Sequence, residues 1–179
     1  ILADTDSERK KVFEFRHALP LAINEYLREH KQIKVSSDIA VPSQHLNQMY
    51  TYYKKIAQES EIDYVNFGHI GEGHLHFNFL PKTSKEYEKA KEYMHLFSQK
   101  AISLGGTVSA EHGIGKIKKP YLELMYSKEH LEEMAKLKKY FDPQTLLGLD
   151  NIFSKELLTM VKWLMKQELP VAAALIEDK

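Results

Sequence analysis

Apolar residues recur at intervals of three and four along several stretches of this chain, the spacing of one buried helical face. Val12, Phe15, Leu19, Ile23 and Leu27 predict a helix over residues 8–30. Pro20 should kink or split it, because proline lacks an amide hydrogen and crowds the preceding turn. Residues 32–42 are rich in β-branched side chains and read as extended, closed by Pro42. Ser43 can cap a second helix, in which Leu46, Met49, Tyr50, Tyr53 and Ile56 share a face. Residues 63–81 read as two strands joined by a glycine-bearing turn. Thr83 and Glu86 have capping-box spacing. The helix behind them carries Tyr87, Ala90, Met94, Phe97, Ala101 and Leu104, until Gly105 and Gly106 stop it. Residues 107–112 read as a short extended segment. A helix over residues 127–140 is expected to turn Leu131, Met134, Leu137 and Phe141 inward and to end at the Asp142-Pro143 step. Residues 154–169 predict a last amphipathic helix, broken by Pro170. There is no internal repeat and no low-complexity segment. This order of elements predicts an α+β fold, a mainly antiparallel sheet covered by helices.

Composition narrows the function. The 179 residues suit one domain or slightly more, with enough apolar content for a real core. Lys plus Arg and Asp plus Glu both number 25, so the formal net charge is zero and nothing favours nucleic acid as the partner. The absence of cysteine excludes a disulfide framework, a thiolate zinc site and a catalytic thiol. No apolar run reaches the ~20 residues of a membrane helix, and no signal peptide is visible. A cytoplasmic location is therefore expected, with peripheral attachment to a membrane as the alternative. Because the chain opens on Ile1 rather than Met, it reads as part of a longer polypeptide.

The densest chemistry lies in Gly68-His69-Ile70-Gly71-Glu72-Gly73-His74-Leu75-His76. With Glu72-Gly73 as a two-residue hairpin loop, Gly71 faces His74, Ile70 faces Leu75, and His69 faces His76. Directly opposed residues share a face of the sheet, so these two imidazoles can hold one divalent metal. His74 points to the same face, since strand side chains alternate. A three-residue loop would pair His69 with Leu75 instead. Spacing alone leaves two readings open: a metal site, or solvated and core-bonded histidines.

A second segment, Thr107-Val108-Ser109-Ala110-Glu111-His112-Gly113-Ile114-Gly115-Lys116, offers a carboxylate and another imidazole. In extended backbone Glu111 and His112 point to opposite sides, so they should not share one metal. Glu111 can complete a His-His-Glu set, which leaves coordination positions open as catalytic sites do. A neutral His112 is then available as a proton acceptor. The plainer reading is a surface Glu-His pair before a glycine-rich turn. The His-Gly-Ile-Gly-Lys run lacks the spacing of a phosphate-binding loop.

Taken together, these segments resemble the C-terminal domain of FAD-linked oxidases, the family of D-lactate dehydrogenase, the glycolate oxidase flavin subunit and D-2-hydroxyglutarate dehydrogenase. The family's G-H-x-G-D-G-N-L-H signature is similar to residues 68–76, and its G-G-x-x-S-x-E-H-G-I-G signature to residues 105–115. Its D-P-x-x-x-L-N-P-G-K-I-F ending resembles residues 142–153, and an upstream Arg and D-x-x-x-P stretch resemble Arg16 and residues 38–42. The resemblance implies a ferredoxin-like α+β substrate domain that caps a separate FAD-binding domain. It implies a divalent metal, of zinc or manganese type, on His69, His76 and Glu111. His112 takes the place of the catalytic base, Asn78 that of a substrate-contacting asparagine, and Arg16 that of the arginine holding the substrate carboxylate. The chain departs from the signature at Glu72 (Asp in the family) and His74 (Asn). Pro20 and Ser36 stand where some members place Thr and Lys, with Lys34 two residues from the latter, and Gly148-Leu149-Asp150-Asn151 replaces N-P-G-K.

Residues 1–153 are thus expected to form the substrate and metal domain, and residues 154–179 a helical extension. The implied reaction is oxidation of a small D-2-hydroxy acid of lactate, glycolate or 2-hydroxyglutarate type to the 2-oxo acid. An iron–sulfur protein is a possible electron acceptor, and the domain alone should be inactive. A metal-dependent hydrolase and a non-catalytic cap are the alternatives.

Overall fold

The computed structural model describes residues 3–161. Its first helix, α1 (Asp6–Glu29), is opened by a capping box the sequence reading missed: Thr5 Oγ1 accepts from the Glu8 amide, and the Glu8 carboxylate accepts from the Thr5 amide. Pro20 does not split α1, which runs unbroken through it. The apolar stripe is only half used. Ile23 and Leu27 are buried, whereas Val12, Phe15 and Leu19 are exposed, Phe15 at 81%.

Two short strands, β1 (Val35–Ser36) and β2 (Ile39–Ala40), lead into a 3-10 turn at Ser43–His45 and then α2 (Leu46–Ser60). Ser43 sits inside that turn and does not cap α2, whose start has no side-chain cap. The hairpin follows as β3 (Tyr64–His69) and β4 (His74–Phe79), and then α3 (Ser84–Ser103). Thr83 caps α3 by accepting from the Glu86 amide, but Glu86 reaches back to the amide of Lys82 rather than of Thr83. The remaining helices are α4 (Lys119–Met125), which the sequence reading did not anticipate, α5 (Lys128–Phe141) and α6 (Lys155–Met160). Val161 is extended and ends α6, short of the helix expected over residues 154–169; the rest of that stretch lies outside the described residues.

Strand β4 is the centre of the sheet. It pairs antiparallel with β3 on one side and with β1 and β2, end to end, on the other. A single bridge between Ala40 and Thr107 adds a vestigial strand beyond β2. The order of elements is therefore β-α-β-β-α-β, with the last strand reduced to one residue, which is the expected ferredoxin-like α+β fold. Only Thr107 of residues 107–112 is extended in a sheet; the others form a loop.

Alternation along β4 separates two chemistries. Phe77 and Phe79, fully buried, face Met49, Tyr53, Ile56 and Ala57 of α2 and Ala90, Met94, Phe97 and Ala101 of α3. The Tyr53 ring packs on Phe77 and edge-on against Phe97, with centroids 5.1 and 4.6 Å apart. His74, His76 and Asn78 occupy the opposite face. The C-terminal half of α1 covers only part of that face, packing Ile23 and Leu27 on Val65, Phe67 and Leu80. The histidine end of the face stays open. In α5 the expected inward set is corrected: Ala135 is buried, Leu131 and Met134 are partly covered, and Leu137 and Phe141 are exposed. The helix packs on α6 and Phe153 through Ala135 and Met134, which rotates its buried stripe away from Leu137 and Phe141.

Candidate functional site

The hairpin loop is four residues long, not two. Ile70–Glu72 form a 3-10 turn closed by Gly73. Gly73 has φ +64°, and a Cβ there would lie 2.0 Å from the Val41 carbonyl oxygen, so the turn presses on the backbone that continues β2. The register consequently pairs His69 with His74, and Phe67 with His76. This corrects the expected His69–His76 opposition. The slip is two residues, and side-chain direction repeats every two, so all three histidines still share the open face. The ring centroids of His74 and His76 are 4.3 Å apart, and those of His69 and His74 5.6 Å.

Glu111 reaches this face from the loop after Thr107. Its carboxylate lies 3.1 Å from His76 Nε2 and 3.6 Å from His69 Nε2. It also lies 3.2 Å from His112 Nε2, so Glu111 and His112 do not diverge as extended backbone would require. The cause is Asp38. Its carboxylate accepts from the amides of Glu111 and His112 and from Ser109 Oγ, at 3.3, 3.1 and 2.8 Å, and its own carbonyl accepts from the Ala110 amide. The loop wraps around one buried carboxylate, and successive side chains converge.

Lys118 Nζ sits 2.5 Å from Asp38 Oδ2 and 3.2 Å from Ser109 Oγ. Burial works to raise the Asp38 carboxyl. The hydrogen bonds from Lys118, Ser109 and the His112 amide outweigh it and hold the group at about 2. Lys118 and the loop-holding role of Asp38 were both missed from the sequence. The available signal was an aspartate within a β-branched stretch that pairs with a central strand, where a carboxylate needs partners.

One donor atom from each of His69, His74, His76 and Glu111 falls within 4.8 Å of the other three. Asp38, His76, Glu111 and His112 form a second, overlapping set of the same compactness. His74 is buried, and its Nε2 has no hydrogen-bond partner: Asp38 Oδ1 is 3.3 Å away but outside hydrogen-bonding direction. Desolvation by burial, reinforced by neighbouring His76, pushes the His74 imidazole below its ordinary value. A nitrogen- and oxygen-donor set of imidazoles and a carboxylate, with an unpartnered buried nitrogen among them, fits a divalent cation of zinc or manganese type.

The other expected site residues surround the cluster. Arg16 Nη2 lies 3.2 Å from His69 Nδ1, which places the guanidinium against the cluster. Asn78 is 2% exposed, accepts from Ser36 Oγ at 2.7 Å and donates to the His76 carbonyl at 3.0 Å. A cavity of about 490 Å³ opens beside His76 and Glu111 and is bordered by Asn78, His112, Lys34 and Pro20. His112 is the most exposed of the four histidines, at 64% for its side chain.

These features define an α+β domain with an apolar core on one face of its sheet and a histidine–carboxylate cluster on the other. The family described as FAD linked oxidases, C-terminal domain, matches residues 1–149, and the chain belongs to that family. It is 33% identical over 156 residues to the glycolate oxidase subunit GlcD of Bacillus subtilis, covering 86% of this chain and 32% of that protein. It is 30% identical over 158 residues to a D-lactate dehydrogenase of Anaerostipes hadrus, covering 87% and 32%. It is 27% identical over 159 residues to a D-2-hydroxyglutarate dehydrogenase of Xanthomonas citri pv. viticola, covering 86% and 32%. The chain thus spans about a third of the length of these relatives.

Proposed function

We propose that this chain is the substrate- and metal-binding domain of a flavin-dependent dehydrogenase that oxidises a small D-2-hydroxy acid to the 2-oxo acid, working with an FAD-binding domain. One observation carries the reading: in a chain of this family, Arg16, His112 and Asn78 gather around the His69–His76–Glu111 cluster and its adjoining cavity.

The residues divide the work as follows. Arg16 presents a planar pair of N–H donors suited to a carboxylate. Its bond to His69 puts that guanidinium against the cluster, so carboxylate and hydroxyl of one small molecule can be held together. His69, His76 and Glu111 would hold the divalent ion. The ion would make a bound hydroxyl more acidic and the flavin would accept the hydride, so the redox chemistry comes from these groups rather than from the chain. His112 takes the hydroxyl proton. Its Nε2 lies 3.2 Å from Glu111, beside the cluster, and the exposure of the ring lets the proton pass on to solvent. Asn78 is held rigid by Ser36 and borders the cavity, where it limits the size and polarity of the group on Cα.

The test is anaerobic mixing of the flavin-loaded natural protein with D- and L-forms of lactate and 2-hydroxyglutarate, and with glycolate. Bleaching of oxidised-flavin absorbance by one of the D-acids or glycolate, with the L-forms inert, is the expected result. No bleaching with any hydroxy acid, or ester or amide hydrolysis that proceeds without flavin, would overturn the reading.

A further inference from the structure

We propose that His74 is a fourth protein ligand, so that the centre is built from three imidazoles and one carboxylate. The inference rests on the metal site proposed above and adds a residue to it.

Three independent observations point to His74. The first is placement. It stands directly opposite His69 in the ladder and two residues from His76 on the same strand, so the three rings fan out from one patch of sheet. The second is the donor geometry. One nitrogen of His74 falls within 4.8 Å of donor atoms from His69, His76 and Glu111, a set that is compact without any other residue. The third is an unmet need. His74 is 3% exposed, and a buried imidazole nitrogen without a partner is uncommon in a folded protein.

The nearest protein group does not meet that need. Asp38 already accepts from Ser109, Lys118 and two backbone amides, and the His74 ring lies off its hydrogen-bonding direction. An ion bound by one nitrogen of His74 removes the conflict. A fourth protein donor holds the ion more tightly and leaves fewer positions for exogenous oxygen ligands.

The test uses the natural protein loaded with Zn²⁺ or Co²⁺, together with its His74→Asn and His76→Ala variants. X-ray absorption should count three imidazoles around the metal in the unaltered protein and two in His74→Asn. Competition with a chelator should show metal affinity in His74→Asn lowered by roughly tenfold or more. The imidazole count on the unaltered protein does not depend on either variant folding. Two imidazoles in both proteins, with unchanged affinity and loss of metal only in His76→Ala, would overturn the role of His74 and leave the His69–His76–Glu111 site standing. No metal in the unaltered protein after loading would overturn that site, and the role of His74 with it.

Discussion

The Asp38 carboxylate and the His112 amide are joined by a hydrogen bond of 3.1 Å across 74 positions of sequence. Through it and its neighbours, the gap between β1 and β2 dictates where Glu111 and His112 point. Asp38→Asn keeps the shape but removes the charge facing Lys118. Breaking one side of a buried pair costs about 3 kcal/mol or more. A lower Tm and weaker metal retention are expected, measured by thermal unfolding and elemental analysis. An unchanged Tm would show that the loop is held by something else.

The same carboxylate sets an acid limit. Asp38 and Asp142 are each held at about 2, well below the ordinary value of 3.8. Lys138 and the amides of Leu147 and Leu146 do for Asp142 what Lys118, Ser109 and the His112 amide do for Asp38 against its burial. A carboxyl depressed in the folded state binds fewer protons there than in the unfolded chain. Its contribution is therefore complete above about 4 and is lost as pH falls toward about 2. Denaturant melts between pH 5 and pH 2 should show stability falling in that window, and less steeply in Asp38→Asn than in the unaltered protein.

His112→Asn is expected to lower kcat of the flavin-loaded protein by roughly 10²- to 10⁴-fold, the range for loss of a positioned proton acceptor, with metal content unchanged. Loss of metal alongside activity would make His112 a ligand, as its place in the second donor set allows.

Arg16→Lys keeps a positive charge but loses the planar fork. Charged hydrogen bonds contribute about 1.5–3 kcal/mol, so KM should rise by roughly 10- to 100-fold with a smaller change in kcat. A fall in kcat at constant KM would place Arg16 in the chemical step through its bond to His69 instead.

Gly73→Ala forces a side chain into left-handed backbone and against the Val41 carbonyl. Strain of this kind costs about 1–3 kcal/mol. Chemical denaturation should show the loss, and metal affinity should fall with it, because the turn sets the pairing of His69 with His74. Normal stability would mean that the turn can rearrange.

Much of this was legible in order along the chain. Helices α2 and α3, the hairpin and the β-α-β-β-α-β succession follow from spacing, because a helical or strand period is a local property. The likeness to a known family rested on contiguous signatures, and these named His69, His76, Glu111, His112, Asn78 and Arg16 without any coordinates. The exposed half of α1 shows where spacing stops: Phe15 lies on the same stripe as Ile23, yet only the latter meets the sheet.

By itself, the sequence determined which strands carry the histidines and that they share a face, since a two-residue change of register leaves side-chain direction unaltered. Tertiary structure decided the rest. The loop length, and with it the His69–His74 pairing, depends on Gly73 meeting Val41. The convergence of Glu111 with His112 depends on a carboxylate 73 and 74 positions away. The burial of His74 depends on the packing around it. Each is a contact between segments far apart in the chain, and no local pattern of apolar and polar residues encodes where such segments meet.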